Sequence, residues 1–362
     1  MKRNYGIDGL RILSMFMVVI LHVLGQGGIL RTAAPSGMHY WSGWLLEVTC
    51  YCAANCFALI SGYVMLQSKP KASRMLELWL QTLFYTIIPL MVYWLVKGHI
   101  SIKAIMNALF PITRRHYWYI SSYLGLLILM PLLNAALIHT PKKVLSATLL
   151  VGFVFFSFLP TILDTDSYAL GGGYSLIWLC LLYLCGGYIH KFDSADLPKK
   201  STAWHIFFAM VCLTFLSKIT LSCQTILPLN TSKYQNLLVS YTSPTMVVAA
   251  IALLICFSKA SPNPKTVKVI QLLSPAALGV YLLHVGNVVW YTIIDGFAIR
   301  FLQYHWTITL LLTLLSALLI YIICSIVELI RIKLYKLMGI KKLSAKLDGW
   351  VEKIFADQHT KV

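Results

Sequence analysis

Apolar residues occur along this chain in ten long runs, separated by short loops that carry most of the polar residues. A helix needs about 20 apolar residues to cross the hydrocarbon core of a bilayer, and each run comes close to that length. The pattern predicts an all-α, polytopic membrane helix bundle. We place the ten spans at about 7–25, 42–66, 76–96, 117–138, 143–160, 174–190, 202–222, 241–258, 272–294 and 305–330.

Composition and charge support lipid as the main solvent. Hydrophobic types make up 59% of the 362 residues and charged types only 12%, against roughly 25% charged in an average soluble domain. An ordinary soluble enzyme and a disordered chain are therefore not expected. The net charge is +18, from 30 Lys and Arg against 12 Asp and Glu. No basic and aromatic motif of a soluble module accompanies this charge, so nucleic acid is not an expected partner.

The basic residues predict the orientation of the helices. Cytoplasmic loops of membrane proteins collect Lys and Arg, and most of these residues fall in alternate loops and in the C-terminal segment. Both termini are therefore expected in the cytoplasm, with residues 1–335 as the transmembrane domain and 336–362 as a basic tail on the anionic inner leaflet. Short loops fit a multi-pass protein of a bacterial cytoplasmic membrane.

Two ionisable residues lie in the first predicted span. Such groups cost several kcal/mol at the bilayer centre, so each needs a reason. Arg11 and His22 are eleven positions apart, which places both on one helix face about 16 Å apart along the axis. A neutral histidine that hydrogen-bonds a neighbouring helix would explain His22 alone. An arginine at the inner mouth and an imidazole deeper on the same face instead indicate a channel, and histidine is well suited to proton transfer near neutral pH.

Other polar and aromatic residues occur within or beside the predicted spans. For the aromatic residues an interfacial belt is an alternative explanation, and for the small polar ones helix–helix hydrogen bonds are. The cysteines have no spacing typical of a metal site, so no metal is predicted. The candidate substrate-binding residues are Glu47, Asn55, Ser61, Trp118, Tyr119, Tyr123 and His284.

Five segments in order along the chain resemble motifs of the acyltransferase-3 family of integral-membrane acyltransferases. The resemblance covers residues 7 to about 330. Each motif alone is weak, whereas five in order at compatible spacing are specific. The matching segments are Gly9-Leu10-Arg11 with His22, Phe57–Tyr63, Tyr117–Leu124 with Met130–Asn134, Cys185–Tyr188, and Gly279–His284.

The resemblance implies a ten-helix fold and transfer of an acyl group, usually acetyl from acetyl-CoA, to a hydroxyl of a surface glycan, a lipid-linked glycan or a small metabolite. His22 matches the family histidine regarded as catalytic, and Arg11 matches the arginine of the same motif. Many members carry two basic residues near the start of the third helix, whereas here Arg74 is followed by Glu77. We therefore expect Lys69, Lys71 or Arg74 to compensate in holding the phosphates of the donor.

These observations lead to a mechanistic hypothesis with open alternatives. His22 is the expected general base, and Arg11 and Arg74 with neighbouring lysines are expected at the donor phosphates. Ser61, Asn55 or Tyr123 would donate to the oxyanion, and Trp118 and Tyr119 would stack on sugar rings. His284 is either a second proton carrier or a structural partner, and direct transfer and an acyl-enzyme on His22 both stay open.

Two other functions stay open beside the enzyme. One is a glycolipid transporter or flippase, for which broken helices or symmetry between halves would be the sign. The other is a non-catalytic membrane sensor of cell-wall precursors. A homo-oligomer is also left open by the sequence.

Overall fold

The computed structural model describes residues 3–68, 71–114, 116–192, 197–222 and 234–359, with side chains as far as residue 349. Helices make up 79% of the structure, and these ranges contain no strand. The predicted all-α class is therefore confirmed.

Seventeen α-helices are numbered here in chain order within the described ranges. They are α1 Tyr5–Leu24, α2 Ile29–Thr32, α3 Met38–Cys50, α4 Ala53–Met65, α5 Ala72–Lys97, α6 Ile102–Leu109, α7 Trp118–His139, α8 Lys142–Phe153, α9 Leu159–Leu163, α10 Leu176–Lys191, α11 Lys200–Ser222, α12 Pro244–Ser258, α13 Pro264–Leu273, α14 Ala277–His284, α15 Asn287–Val289, α16 Trp306–Leu337 and α17 Ile340–His359. Short π-helical turns span Val154–Phe158 and Trp290–Ile294, and 3₁₀ turns span Gly171–Gly173, Ser274–Ala276 and Ile299–Gln303.

Eight helical segments in the described part of the chain are long and apolar enough to cross a membrane. Two further apolar helices, α10 and α12, are shorter than these. The ten predicted spans therefore correspond to eight long and two short apolar helices, and the count of ten and the side of the termini stay predictions. The eight segments are Tyr5–Thr32, Met38–Met65, Ala72–Lys97, Trp118–His139, Lys142–Leu163, Lys200–Ser222, Pro264–His284 and Trp306–Leu337.

The ninth predicted span, 272–294, differs from the structure. The helical segment begins earlier, at Pro264, and ends at His284, because the backbone is no longer helical at Gly286. The following segment crosses the end of α1 instead, where the Gly296 N–H donates to the carbonyl of Gln26. The run of apolar residues alone could not predict where the helix ends.

Helix α1 lies in the middle of the bundle. Its N-terminus is capped by Asn4, whose side chain accepts from the N–H groups of Gly6 and Ile7. Such a cap satisfies two of the N–H groups that a helix end leaves without partners. Helix α1 packs on α3, α4, α12 and α16, so that most of its side chains are buried. Polar groups on α1 are therefore held among other helices rather than in lipid.

A buried ion pair joins α16 to α5. Glu328 is fully buried and receives two hydrogen bonds of 2.7 Å from Arg331, one turn further along α16. The Tyr85 hydroxyl of α5 donates to the same carboxylate at 2.6 Å, and Gln81 donates at 3.0 Å. Sequence analysis did not single out this network. Two of its donors, Tyr85 and Gln81, lie 243 and 247 residues from Glu328 in the chain.

The basic tail forms α17, which packs against the start of α5. The Asp348 carboxylate accepts from both the N–H and the hydroxyl of Ser73, and Ser344 donates to Glu77. Helix α5 has no side-chain cap of its own at Lys71, so Asp348 supplies the cap from another helix. The boundary predicted at 335 and 336 falls inside α16.

Candidate active site

A cavity of about 250 Å³ lies against one face of α1. Its walls also come from α4, from the start of α7 and from α14. Arg11 and His22 both line it, as their shared helix face predicted. The other lining residues are Met15, Val18, Ala54, Phe57, Ile60, Ser61, Val64, Met65, Trp118, Tyr119, Tyr123, Tyr241, Ala277, Leu278 and Tyr281.

His22 is paired with the second candidate histidine. Its Nδ1 lies 2.8 Å from Nε2 of His284, and Nδ1 of His284 hydrogen-bonds the carbonyl of Val280. A carbonyl only accepts, so Nδ1 of His284 carries a hydrogen. With both rings neutral, Nε2 of His284 must then accept, and Nδ1–H of His22 must donate. This assignment leaves Nε2 of His22 as the basic nitrogen.

Trp290 makes the other ring contact of His22. The two ring centroids lie 4.8 Å apart with planes at 89°, so the rings meet edge to face. Trp290 belongs to the π-helical turn after α15. Sequence analysis missed this residue because it treated 272–294 as one helix, on which nothing marked Trp290 as facing the first helix.

Arg11 is not a free cation. Its Nη1 donates to Asp8 at 2.8 Å and to Ser274 at 3.1 Å. Asp8 also accepts from Arg3 at 2.6 Å, so one carboxylate holds two guanidinium groups. Sequence analysis did not weigh Asp8, although its position one turn before Arg11 is the spacing at which helical side chains pair. The Arg11 side chain lines the cavity and keeps 30% of its surface exposed.

The Tyr119 hydroxyl is one of two donors in this wall, with the hydroxyl of Tyr281, that the rest of the described chain leaves unused. It is buried and has no hydrogen-bond partner among the described residues. The ring stacks on Tyr123 at 5.9 Å. Ser61, in contrast, donates to the carbonyl of Phe57, and the Tyr123 hydroxyl faces the Met65 sulfur at 3.8 Å. An unpartnered buried hydroxyl is costly, which favours a ligand as its missing partner.

Asn55 and Trp118 differ in how they relate to the cavity. Asn55 donates to the carbonyl of Tyr241 and accepts from the Trp178 indole. Its side-chain amide is therefore hydrogen-bonded to protein through both its nitrogen and its oxygen. Asn55 does not line the cavity. Trp118 does line the cavity and packs on Tyr174 and Tyr241. Asn55 therefore joins the backbone of Tyr241 to the Trp178 side chain and does not reach the cavity.

Glu47 lies on α3, outside the cavity lining. Its Oε2 is buried without a hydrogen-bond partner in the described ranges. The structure thus keeps Glu47 out of the cavity that His22 lines.

The basic residues predicted at the donor phosphates fall in three places. Arg74 lies in the first turn of α5, with Nη1 buried and unpartnered among the described residues. Lys71 is exposed just before that helix. Lys69 lies outside the described residues. Arg74 is therefore the described basic residue of this segment that presents an unused donor from a fixed position.

A family model described as an acyltransferase domain matches residues 4–328 of the chain. This match covers the cavity, both histidines and the Glu328 side of the buried ion pair. A search of curated proteins found no match, and neither did a search of solved structures.

Proposed function

The chain belongs to the acyltransferase-3 family, and on that premise we propose that it moves acetyl from cytoplasmic acetyl-CoA to a hydroxyl of a cell-surface or lipid-linked glycan. The coarser statement, a multi-pass membrane acyltransferase, follows from the family and from the eight long apolar helices. The donor, the acceptor and the roles of residues below are the proposal.

His22 is the general base of this reaction. Its Nε2 lone pair faces substrate because Nδ1 is held by His284. The fixed tautomer supports this role, since a base that could rotate or switch tautomer would lose alignment with the hydroxyl. His284 acts as a neutral orienting acceptor. Its own Nδ1 hydrogen is held by a carbonyl that cannot take it, which argues against onward proton transfer.

The step balances in atoms and charge. The acceptor hydroxyl gives its proton to Nε2 of His22 while its oxygen attacks the thioester carbonyl. The C–S bond of the resulting tetrahedral intermediate breaks, and the leaving sulfur receives the proton from His22. The products are the O-acetyl ester and free CoA, and His22 returns to its starting state. We favour this direct transfer over an acyl-enzyme because a single lone pair on Nε2 accounts for both proton movements.

Tyr119 would stabilise the negative charge that develops on the thioester oxygen. A donor fixed before the reaction, in a site that excludes water, is worth far more than the same donor in solution. Tyr119 supports this proposal better than Ser61 or Asn55 because its hydroxyl has no protein partner in the described chain.

The donor phosphates would bind at the Arg11 end of the cavity. Arg11 keeps guanidinium donors beyond the Nη1 group that Asp8 and Ser274 use. Arg74, which lies outside the cavity lining, has an unused Nη1. Arginine suits phosphate because its planar fork forms charge-assisted, often paired, hydrogen bonds. The rise of about 16 Å from Arg11 to His22 along α1 leaves room for an extended arm between phosphate and thioester.

The His22–His284–Val280 chain of hydrogen bonds at the cavity wall carries this proposal. We would test it by measuring the O-acetyl content of cell-surface and lipid-linked glycans by proton NMR. The comparison includes wild type, a deletion, and the deletion complemented with His22→Ala at equal expression. The expected result is loss of O-acetyl signal in the deletion and no restoration by His22→Ala. Full restoration by His22→Ala would overturn the role of His22 and favour the transporter or sensor function instead.

A further inference from the structure

A second cavity of about 370 Å³ lies between α5, α6 and the segment that contains α15 and the π-helical turn after it. It borders the C-terminal half of α5, and so lies toward the outer side in the predicted orientation. The reaction described above makes no use of this cavity. Its lining combines apolar groups with polar ones, which include Ser101, Asn107 and His116.

The second cavity and His22 lie on opposite sides of the same short segment. Asn287, Val288, Tyr291 and Thr292 line the cavity, whereas Trp290 of the same segment contacts the His22 ring. The segment that carries Trp290 therefore borders both the second cavity and the ring of the proposed base. π-Helical turns are rare and are frequent at functional sites, and this one carries Trp290.

Polar groups in the wall of the second cavity are available for hydrogen bonds to a ligand. His116 accepts from the N–H of Asn287 through Nε2 at 3.2 Å, so in its neutral form the ring carries its hydrogen on Nδ1. Burial lowers the pKa of His116 to about 4, which keeps it neutral at physiological pH. Pro89 has no N–H, and the carbonyl of Tyr85 one turn earlier therefore lacks its helical donor. Both Tyr85 and Pro89 line the cavity.

The rim of the second cavity is apolar and exposed. Tyr291 in the lining is 67% exposed, and Leu95, which lies on α5 outside the lining, is 75% exposed. In a spanning bundle such residues face lipid, so the cavity adjoins the acyl region of the outer leaflet. A polar interior behind a lipid-facing rim fits an amphiphile whose head group carries hydroxyls.

We propose that the second cavity binds the hydroxyl-bearing head group of a lipid-linked acceptor, which enters from the outer leaflet and presents its hydroxyl to His22 beside Trp290. This inference rests on the proposed function and narrows its acceptor to the lipid-linked class. The aromatic rings of Tyr93 and Tyr291 offer faces for sugar rings, and Asn107 and His116 offer hydrogen bonds.

The test uses the full chain in membranes, with brief labelling by [¹⁴C]acetyl-CoA and counting of the lipid extract. Ala104→Trp places an indole into the cavity, and Met106→Trp adds the same bulk to α6 at a position that does not line the cavity. We expect Ala104→Trp to lower labelling of the lipid extract about tenfold or more, whereas Met106→Trp stays within about twofold of wild type. The Kd of acetyl-CoA, measured on the purified chain, should change less than about twofold in both.

A second variant blocks the cavity only after folding. Asn107→Cys is treated with a membrane-impermeant methanethiosulfonate reagent added outside, and then with a reductant. We expect labelling to fall on modification and to return on reduction, with the wild type insensitive to the reagent.

The outcomes separate this inference from the function on which it rests. If the wild type neither binds acetyl-CoA nor labels any fraction, the proposed function fails. If the wild type labels the lipid extract but Ala104→Trp and modified Asn107→Cys label it equally well, only the acceptor site is overturned. Label that appears only in the aqueous polymer, even after brief labelling, would overturn the lipid-linked acceptor.

Discussion

Two buried polar sites in this bundle differ in how completely their groups are paired. At the ion pair of α16, both oxygens of Glu328 accept hydrogen bonds, from Arg331, Tyr85 and Gln81. At the cavity beside α1, Tyr119 keeps an unpartnered hydroxyl among the described residues and His22 keeps a basic nitrogen. Both sites place ionisable groups away from water, at a cost of several kcal/mol each.

The difference between these sites indicates their functions. A network in which every group is paired leaves nothing for a ligand and acts by holding helices together. A site with unpaired donors is stabilised only when a ligand supplies the missing partners, which is the situation expected of a binding or catalytic site. Removing a residue from the first site should therefore change stability, whereas removing one from the second should change activity.

The largest expected effect is on stability, from Glu328→Ala. Breaking a buried pair strands Arg331 without its partner, which costs about 3–5 kcal/mol. Reversible unfolding of the purified protein in detergent would measure this loss. Lys333→Ala on an exposed position of α16 is the matched control, with little change expected. Equal stability of wild type and Glu328→Ala would contradict the structural role of the pair.

Tyr119→Phe should lower the rate of transfer and leave the stability of the protein unchanged. Loss of one oxyanion donor lowers the rate by about 100-fold or more, while stability is retained because the removed hydroxyl had no protein partner in the described chain. Initial rates of CoA release and a thermal unfolding curve on the same sample would show both. Tyr168→Phe, at an exposed position, serves as control. A full rate in Tyr119→Phe would assign the oxyanion to another donor.

Arg11→Ala should act on donor binding. The loss of a charge-assisted contact to phosphate, worth about 1.5–3 kcal/mol, should raise the acetyl-CoA KM about tenfold or more and change the acceptor KM much less. Arg11→Lys should recover part of the effect, because an ammonium keeps the charge but not the paired geometry. Steady-state kinetics with each substrate varied in turn would show whether the KM of the donor rises more than that of the acceptor. An unchanged donor KM would remove Arg11 from the phosphate site.

The smallest expected effect concerns the contact of α17 with α5. Asp348→Ala removes the cap on Ser73, a loss of about 0.5–2 kcal/mol for such caps. Hydrogen bonds from Ser73 hold the pKa of Asp348 below its usual range. The contact is therefore complete above about pH 4, the unfolded pKa of an aspartate, and is lost as pH falls through the lowered folded pKa.

Thermal unfolding across pH would test this contact. Asp348→Ala should melt below wild type at pH 6, and the two should converge in acid, where the wild-type carboxyl is protonated. Lys346→Ala, an exposed neighbour on α17, controls for loss of a charge. A difference between wild type and Asp348→Ala that persists in acid would rule out the ionised cap.

Apolar runs were enough to predict the class and most of the helices, because lipid demands long apolar segments wherever the chain crosses it. They were not enough for 272–294. That run is apolar enough for one helix, yet the structure ends the helix at His284 and uses the remainder to reach α1. Apolar character cannot distinguish a spanning helix from a buried or membrane-facing turn.

For the site, helical periodicity correctly brought Arg11 and His22 to one cavity, because both lie on one helix and local geometry is sufficient. The partners of these residues were harder to foresee. His284 was left with two alternative roles, and its bond to His22 joins residues 262 positions apart. Trp290 was not considered at all. Such pairs follow from the packing of helices, which a single sequence does not specify.

The most direct test of the account is acetyl transfer by the purified full chain in lipid nanodiscs, measured as CoA release with a lipid-extracted acceptor fraction. His22→Ala is compared with His139→Ala, an exposed histidine near the end of α7. The account predicts a loss of about 100- to 10,000-fold for His22→Ala, with unchanged acetyl-CoA binding and with His139→Ala like wild type. Transfer by His22→Ala at the wild-type rate would contradict the claim that His22 is the base.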